Sequence, residues 1–160
     1  MFKVKGLNAF KIVMAILILS LPLRAEVKVS LVANKILKSD GTEIRQSGER
    51  AKPGDVIEYV AEYRNTDKAP VHNVVATLPV PAGVEYLPDT AVPKLALAST
   101  DGVHFSAIPL KRTVRDAAGQ ATEELVPYSE YRSLRWNLEE ISSGGSKTVK
   151  AQMKVKSQEQ

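Results

Sequence analysis

Side chains that could hold a metal ion are few and widely spaced. The 160-residue chain has two histidines, His72 and His104, and no cysteine. Zinc takes three or four ligands, so two distant histidines do not predict a zinc site. Calcium prefers oxygen ligands, and six carboxylates fall at expected turns. These are Asp40, Glu43, Asp55, Asp67, Asp89 and Asp101. They lack the regular spacing of a calcium-binding loop, so calcium binding remains only an alternative.

The sequence also lacks the arrangements of residues that nucleophilic catalysis requires. Residues Ser142–Ser146 read SSGGS, which is typical of a turn and differs from the Gly-x-Ser-x-Gly elbow of hydrolases. Two pairs of adjacent glutamates occur, Glu123 with Glu124 and Glu139 with Glu140. Neighbours in a strand point to opposite faces, so neither pair forms a carboxylate dyad. We therefore expect a protein that is not an enzyme and that uses no cofactor.

Two groups of residues are candidates for binding a partner. The first is an aromatic and basic cluster made of Tyr128, Tyr131, Arg132 and Arg135. In an alternative interpretation, one of its tyrosines packs on the core and the arginines cover it. The second group is a pair of lysines in the last strand, Lys150 and Lys154. Lysines on an edge strand keep it from pairing with other chains, which predicts a protein that is monomeric on its own.

The N-terminal residues 1–25 have the pattern of a secretory signal peptide. Lys3, Lys5 and Lys11 form a basic region, an apolar run follows from Ile12 to Leu21, and Ala25 ends a cleavage site. The alternative is a retained membrane anchor, but the apolar run is about half of the ~20 residues that a span needs. We expect export to the periplasm or cell surface of a bacterium, with no membrane span in residues 26–160.

The net positive charge of the chain comes entirely from this leader. The net charge is +4, and residues 1–25 carry four of the 22 Lys and Arg residues and no acid. Residues 26–160 therefore have as many basic as acidic residues, 18 of each. Nucleic-acid binding calls for a persistent basic patch, so we expect no nucleic-acid partner.

Residues 26–160 repeatedly show the period of two that is typical of half-buried β-strands. The clearest faces are Ile57, Tyr59, Ala61 and Tyr63 in one strand and Val149, Ala151, Met153 and Val155 in the last. A first strand is predicted over Glu26–Leu37, with Val27, Val29 and Leu31 on one face. Trp136 is the expected core anchor, and Asn65 is expected to cap a turn through its side-chain amide. Residues 111–129 are compatible with a charged hairpin, or with a short helix over 121–131.

This pattern predicts an all-β fold: an immunoglobulin-like antiparallel β-sandwich of about seven to eight strands, forming one domain over residues 26–160. Without cysteine, such an exported domain depends on packing rather than on disulfides.

One stretch, Pro53–Pro88, and a second near the C-terminus resemble a known bacterial family. The residues that carry the resemblance are Gly54, Asp55, Tyr59, Asn65, Thr66, Val74, Val75, Leu78, Pro79, Pro81, Gly83, Tyr86, Leu134–Leu138 with Trp136, and Gly144–Ser146. As a set they resemble the conserved Ig-like surface repeat called domain of unknown function eleven. That family often carries its repeats in tandem, whereas this chain has a single copy behind a leader.

The resemblance implies a non-enzymatic structural or interaction module of the bacterial cell envelope, with another envelope or surface protein as its partner. The alternative function is loop-based binding of a small molecule or calcium in the envelope. An interaction module is expected to have a flat surface or an open strand edge. A binding protein is expected to have a formed pocket or converging carboxylates.

Overall fold

The computed structural model describes residues 27–39 and 41–157. The expected leader, residues 1–25, lies outside the described residues, as do Glu26 and Asp40. The strands are β1 (Val27–Ser39), β2 (Thr42–Ser47), β3 (Val56–Asn65), β4 (Val71–Pro79), β5 (Val84–Tyr86), β6 (Leu97–Ser99), β7 (Ser106–Ala107), β8 (Lys111–Arg115), β9 (Ala121–Leu125), β10 (Ser133–Ile141) and β11 (Ser146–Val155). Two one-turn 3₁₀ helices cover Gly48–Arg50 and Tyr128–Glu130. Neither these turns nor any other described segment is a helix able to cross a bilayer.

Two antiparallel sheets enclose the core. Sheet A has the strand order β2-β1-β3-β11-β5, and sheet B has the order β4-β10-β6-β7. Strands β8 and β9 form a separate two-stranded hairpin. The predicted all-β, antiparallel sandwich architecture is confirmed, whereas its immunoglobulin-like type stays a prediction.

The described residues form eleven strands, more than the seven to eight expected. The additional strands include β2 and the hairpin β8–β9, where nearly all side chains are exposed. Such strands have no buried face, so their sequences lack the alternation by which a strand is recognised. The hairpin also decides between the two interpretations of residues 111–129 in favour of the charged hairpin.

The core is built largely from the inward faces of β3, β4, β10 and β11. Trp136 is 2% exposed and Met153 is fully buried, as the alternation predicted. The indole Nε1 of Trp136 donates a hydrogen bond of 2.7 Å to the carbonyl oxygen of Pro93. That bond satisfies the one polar atom of the ring, so the whole side chain is buried without an unpaired donor.

Asn65, at the end of β3, joins two turns. Its Nδ2 donates to the carbonyl oxygens of Ala69, Ile141 and Ser142, at 2.8, 3.0 and 3.2 Å. Its Oδ1 accepts from the backbone nitrogen of Asp67 at 2.9 Å. The expected turn-capping role of Asn65 is confirmed. It also links β3 of sheet A to the end of β10 in sheet B.

Gly54 and Asp55 form the corner that leads into β3. Gly54 has a φ of +87°, a conformation that costs glycine little, and its nitrogen donates to the carbonyl of Val155. Asp55 accepts from the backbone nitrogen of Lys52 at 2.7 Å and pairs with Lys35 at 2.6 Å. The hydrogen bond and charge of Lys35, with the Lys52 N–H, lower the pKa of Asp55. Gly54 and Asp55, which belong to the residues of the family resemblance, therefore stabilise this corner of the fold.

The last strand, β11, lies inside sheet A, which corrects one expectation. It pairs with β3 on one side, and with β5 and Val92 on the other. Val92 and Lys150 exchange two backbone hydrogen bonds of 2.8 Å. Lys150 and Lys154 therefore do not guard a sheet edge, and the argument that predicted a monomer from them no longer applies.

The first strand has the predicted alternation but not the predicted burial. Val29 and Leu31 lie opposite Tyr63 and Ala61 of β3, which places them on the core side of sheet A. They are nevertheless 56% and 52% exposed. The main contacts between the two sheets join β4 to β3 and β11, and β10 to β11, and β1 is not among them.

Replacement of the core anchor tests the packing. We expect Trp136→Ala to lower the free energy of unfolding by about 3–5 kcal/mol, since it leaves a large cavity. The matched control is Leu95→Ala, at a side chain that is 92% exposed, with an expected change within about 0.5 kcal/mol. Urea denaturation followed by circular dichroism measures both. A loss below about 1 kcal/mol in Trp136→Ala would contradict its role as core anchor.

Candidate functional site

Each of the two histidines lies beside a different carboxylate. His72 Nδ1, on β4, is 3.0 Å from Glu140 Oε2, and His104 Nδ1 is 2.7 Å from Asp101 Oδ2. Across residues 27–39 and 41–157, no group of three or more His, Cys, Asp or Glu residues is placed to hold a metal ion.

Asp101 organises the β6–β7 turn. Its Oδ1 accepts from the backbone nitrogens of Val103 and His104 and from the hydroxyl of Ser99, each at 2.8 Å. The hydrogen bond with the imidazole of His104 makes the largest contribution to lowering the pKa of Asp101, and the bonds from the backbone nitrogens add to it. Together they hold this pKa well below its usual range. The Ser99 hydroxyl donates to the carboxylate and not to the imidazole. This Ser, Asp and His set therefore closes a turn and does not activate a nucleophile.

The predicted aromatic and basic cluster does not form one surface. Tyr131 is completely buried, its hydroxyl accepts from the backbone nitrogen of Leu110 at 2.8 Å, and burial raises its pKa. Its ring stacks on Tyr86 and meets half-buried Tyr128 edge-on, with centroids 6.0 and 5.2 Å away. Tyr131 is therefore a core residue and cannot contact a partner, as the alternative interpretation of this cluster allowed.

The two arginines of the cluster have separate environments. Arg132 is exposed and donates to the carbonyls of Ser129 and Tyr131, at 3.1 and 3.2 Å. The guanidinium of Arg135 lies 3.4 Å above the ring of Phe105. Both arginines thus have contacts within the chain, and these contacts differ.

Lys150 and Lys154 of β11 lie on the outer face of sheet A, where Lys150 joins a charge network around Glu58. Glu58 is 4% exposed and accepts two hydrogen bonds from Arg45, at 2.8 and 3.2 Å. Lys150 Nζ donates a third bond of 3.2 Å. The bond from Arg45, and then that from Lys150, lower the pKa of Glu58 against the opposing effect of its burial. Lys150 thus neutralises a buried carboxylate and is not part of a free anion-binding face, while Lys154 is exposed.

This network gives a pH dependence that can be measured. Because the pKa of Glu58 is lower in the folded protein, its contribution is complete above the unfolded value of about 4.3. It is lost as the pH falls through the folded value. We therefore expect Glu58→Gln to reduce the slope of the unfolding free energy against pH in that acidic range. The reduction should correspond to roughly one proton fewer taken up on unfolding.

Urea denaturation of parent and variant from neutral to acidic pH provides this measurement. The matched control is Glu49→Gln, at an exposed glutamate of the first 3₁₀ turn. Equal acid slopes in the parent and in Glu58→Gln would contradict the account of this network.

The C-terminal part of the outer edge of β4, in sheet B, is protected against strand pairing. The hydroxyl of Tyr63 crosses from sheet A, donates to the carbonyl oxygen of Thr77 at 3.1 Å and accepts from its nitrogen at 3.0 Å. Two residues further, Pro79 has no N–H to offer. At these two positions, the backbone groups that another strand would need are satisfied or missing.

Other rim strands are short or charged. Strand β5 has three residues and β7 has two, which leaves little edge for a partner. Strand β2 carries Glu43 and Arg45, which form an ion pair of 3.6 Å. Short length and charge are the usual protections of natural sheet edges.

The N-terminal half of β1 lacks these protections. Strand β2 pairs with β1 only over Asn34–Ser39, and among the described residues no strand pairs with Val27–Val32 on that side. Gly48, the residue after β2, lies against Ala33, since a Cβ atom at Gly48 would be 2.9 Å from the carbonyl oxygen of Ala33. We call this side of β1 at Val27, Val29 and Leu31 the free edge of β1.

The register identifies which backbone groups the free edge offers. Ser39 and Thr42 face each other across a two-residue turn, so the N–H and C=O of Ser39 point toward β2. These directions alternate along an uninterrupted strand. Val27, Val29, Leu31 and Ala33 therefore direct their N–H and C=O groups away from β3. Val32, on the opposite face, is also 52% exposed.

Sequence reasoning missed this edge. The alternation of Val27, Val29 and Leu31 was available, but it indicates only that one face is apolar and does not identify what covers it. The position of β1 in the sheet depends on pairings with β2 and β3, and sequence alternation does not encode these partners.

The described cavities are open depressions. One of about 790 Å³ is lined by Ala51, Pro53, Ala82, Gly83, Val155, Lys156 and Ser157. Its side chains are mostly small or apolar, with one lysine, and it lacks the convergent polar groups typical of a ligand site. The free edge of β1 is therefore the stronger candidate site.

No family model, curated protein or solved structure matches the chain. The resemblance to the Ig-like surface repeat stays a prediction from its motif residues.

Proposed function

We propose that this protein is a non-enzymatic, exported Ig-like interaction module of the bacterial cell envelope. In this proposal it works by pairing the free edge of β1 with an extended segment of another envelope or surface protein chain. The observation that carries the proposal has two parts. The outward backbone groups of Val27, Val29 and Leu31 pair with no strand in the described part of the chain, and the apolar side chains of Val29, Leu31 and Val32 are half-exposed. Backbone bonds at such an edge supply affinity, and alternate side chains supply specificity.

The sequence supports the cellular part of the proposal. Residues 1–25 have the signal-peptide pattern, and residues 26–160 are balanced in charge and lack cysteine. A balanced charge favours a protein partner over nucleic acid.

Loop-based binding of calcium or a small molecule has less support. Among the described turn carboxylates, Asp55 is bonded to Lys35 and Lys52, and Asp101 to its own turn. Oxygens that are already engaged within the chain are poorly placed to converge on a cation.

The proposal is tested by a photo-reactive amino acid placed at position 31 in the producing bacterium. Leu31 lies on the free edge, so we expect light to link the protein covalently to another envelope chain. The matched control is position 95, which is more exposed than Leu31 but lies outside the edge. Absence of a linked product at position 31, with a folded and exported protein, would overturn the proposal.

A further inference from the structure

The outer face of sheet B carries a second candidate site, centred on Arg135 of β10. We propose that this site binds a protein segment that presents one carboxylate, from an aspartate or a glutamate, among apolar side chains. The inference goes beyond the proposed function, because the free edge of β1 belongs to the other sheet and takes no part in it.

Arg135 has no acidic partner of its own. Its Nε is buried without a hydrogen-bond partner, and no hydrogen bond or ion pair joins its side chain to another residue in the described part of the chain. Arg45 and Arg112, by contrast, each pair with glutamates. The side chain of Arg135 is half-buried and points away from the core. Its two terminal Nη groups are therefore the donors that remain for a partner.

An aromatic ring holds the guanidinium in place. Its Cζ lies 3.4 Å from the ring centroid of Phe105, which follows the turn that Asp101 closes. The oxygens of Asp101 accept from the backbone of Val103 and His104 and contact the imidazole of His104, and they do not pair with Arg135. Stacking on the ring orients the planar fork that matches a carboxylate, and it reduces the freedom that the side chain loses on binding.

The surface around Arg135 is uncharged and partly apolar. In the register, Arg135 lies between Thr77 of β4 and Leu97 of β6, and every second residue of these strands shares their face. Leu97 and Val75 are 39% and 52% exposed. The outward neighbours of the arginine are Val75, Thr77, Pro79, Leu97, Ser133 and Asn137. Few charges, apolar surface and an arginine on an aromatic ring are typical of the core of a protein interface.

The charge at this site selects the chemistry of the partner. A membrane surface or a nucleic acid is bound by several cations that act together, whereas the outward neighbours of Arg135 carry no charge. One positive charge in a neutral, apolar surround is matched by one carboxylate with apolar flanks. The two oxygens of that carboxylate can each accept a charge-assisted hydrogen bond from the Nη groups.

A photo-reactive amino acid at position 97, in the producing bacterium, tests this site. Leu97 lies directly opposite Arg135, so we expect light to link the protein to another protein chain. Arg135→Gln should lower the yield of that product at least tenfold. The matched control Arg64→Gln, at an exposed arginine of β3 in sheet A, removes the same charge and should leave the yield unchanged.

A second pair of variants leaves Arg135 and its contact with Phe105 in place. Thr77→Glu puts a carboxylate directly opposite Arg135, where it occupies the guanidinium within the chain. We expect this variant to lose the product at least tenfold, whereas Thr77→Gln, which is similar in size but neutral, should keep it. Circular dichroism checks that every variant is folded. Mass spectrometry should find an aspartate or glutamate in the linked peptide of the partner.

Absence of a protein product at position 97, in a folded and exported protein, would overturn this site. A yield that Arg135→Gln and Thr77→Glu leave unchanged would also overturn it, and a product formed with lipid would overturn it in favour of a membrane surface. None of these results changes the product expected at position 31, so the two proposals stand or fail separately.

Discussion

Strands at the rim of a sheet expose backbone N–H and C=O groups, and the need to satisfy these groups shapes this protein. In sheet B, one hydroxyl, that of Tyr63, supplies both hydrogen bonds to Thr77. In sheet A, β2 supplies them along Asn34–Ser39 and then turns away. Within the described chain, the groups of Val27, Val29 and Leu31 have no such strand partner. This difference in edge protection is the basis for proposing an interaction module.

The rest of the fold holds that edge in place. Strand β1 pairs with β3 over ten residues, from Val27 with Asn65 to Ile36 with Val56. Strand β3 is fixed in turn by β11 and by the Asn65 amide, which binds carbonyls at both flanking turns. An edge on such a support is already extended before a partner arrives. Less conformational entropy is then lost on binding than with a mobile segment.

Much of the fold could be predicted from the sequence, because a strand with one buried and one exposed face alternates apolar and polar residues. The alternation around Ile57 and Met153, the core position of Trp136 and the turn role of Asn65 are all confirmed. The edge could not be predicted this way. The sequences of β1 and β11 alternate equally clearly, yet β11 lies inside sheet A and β1 is partly free. The position of each strand in the sheet depends on pairing with strands that are distant in the chain. The burial of Tyr131 depends likewise on Tyr86 and Leu110.

Amide hydrogen exchange at the free edge, followed by NMR in dilute protein, tests the central claim most directly. The account predicts that the amides of Val29 and Leu31, which have no strand partner among the described residues, exchange fast. The amide of Thr77, bonded to Tyr63, should exchange slowly. Protection of the Val29 and Leu31 amides to the level of Thr77 would contradict a free edge.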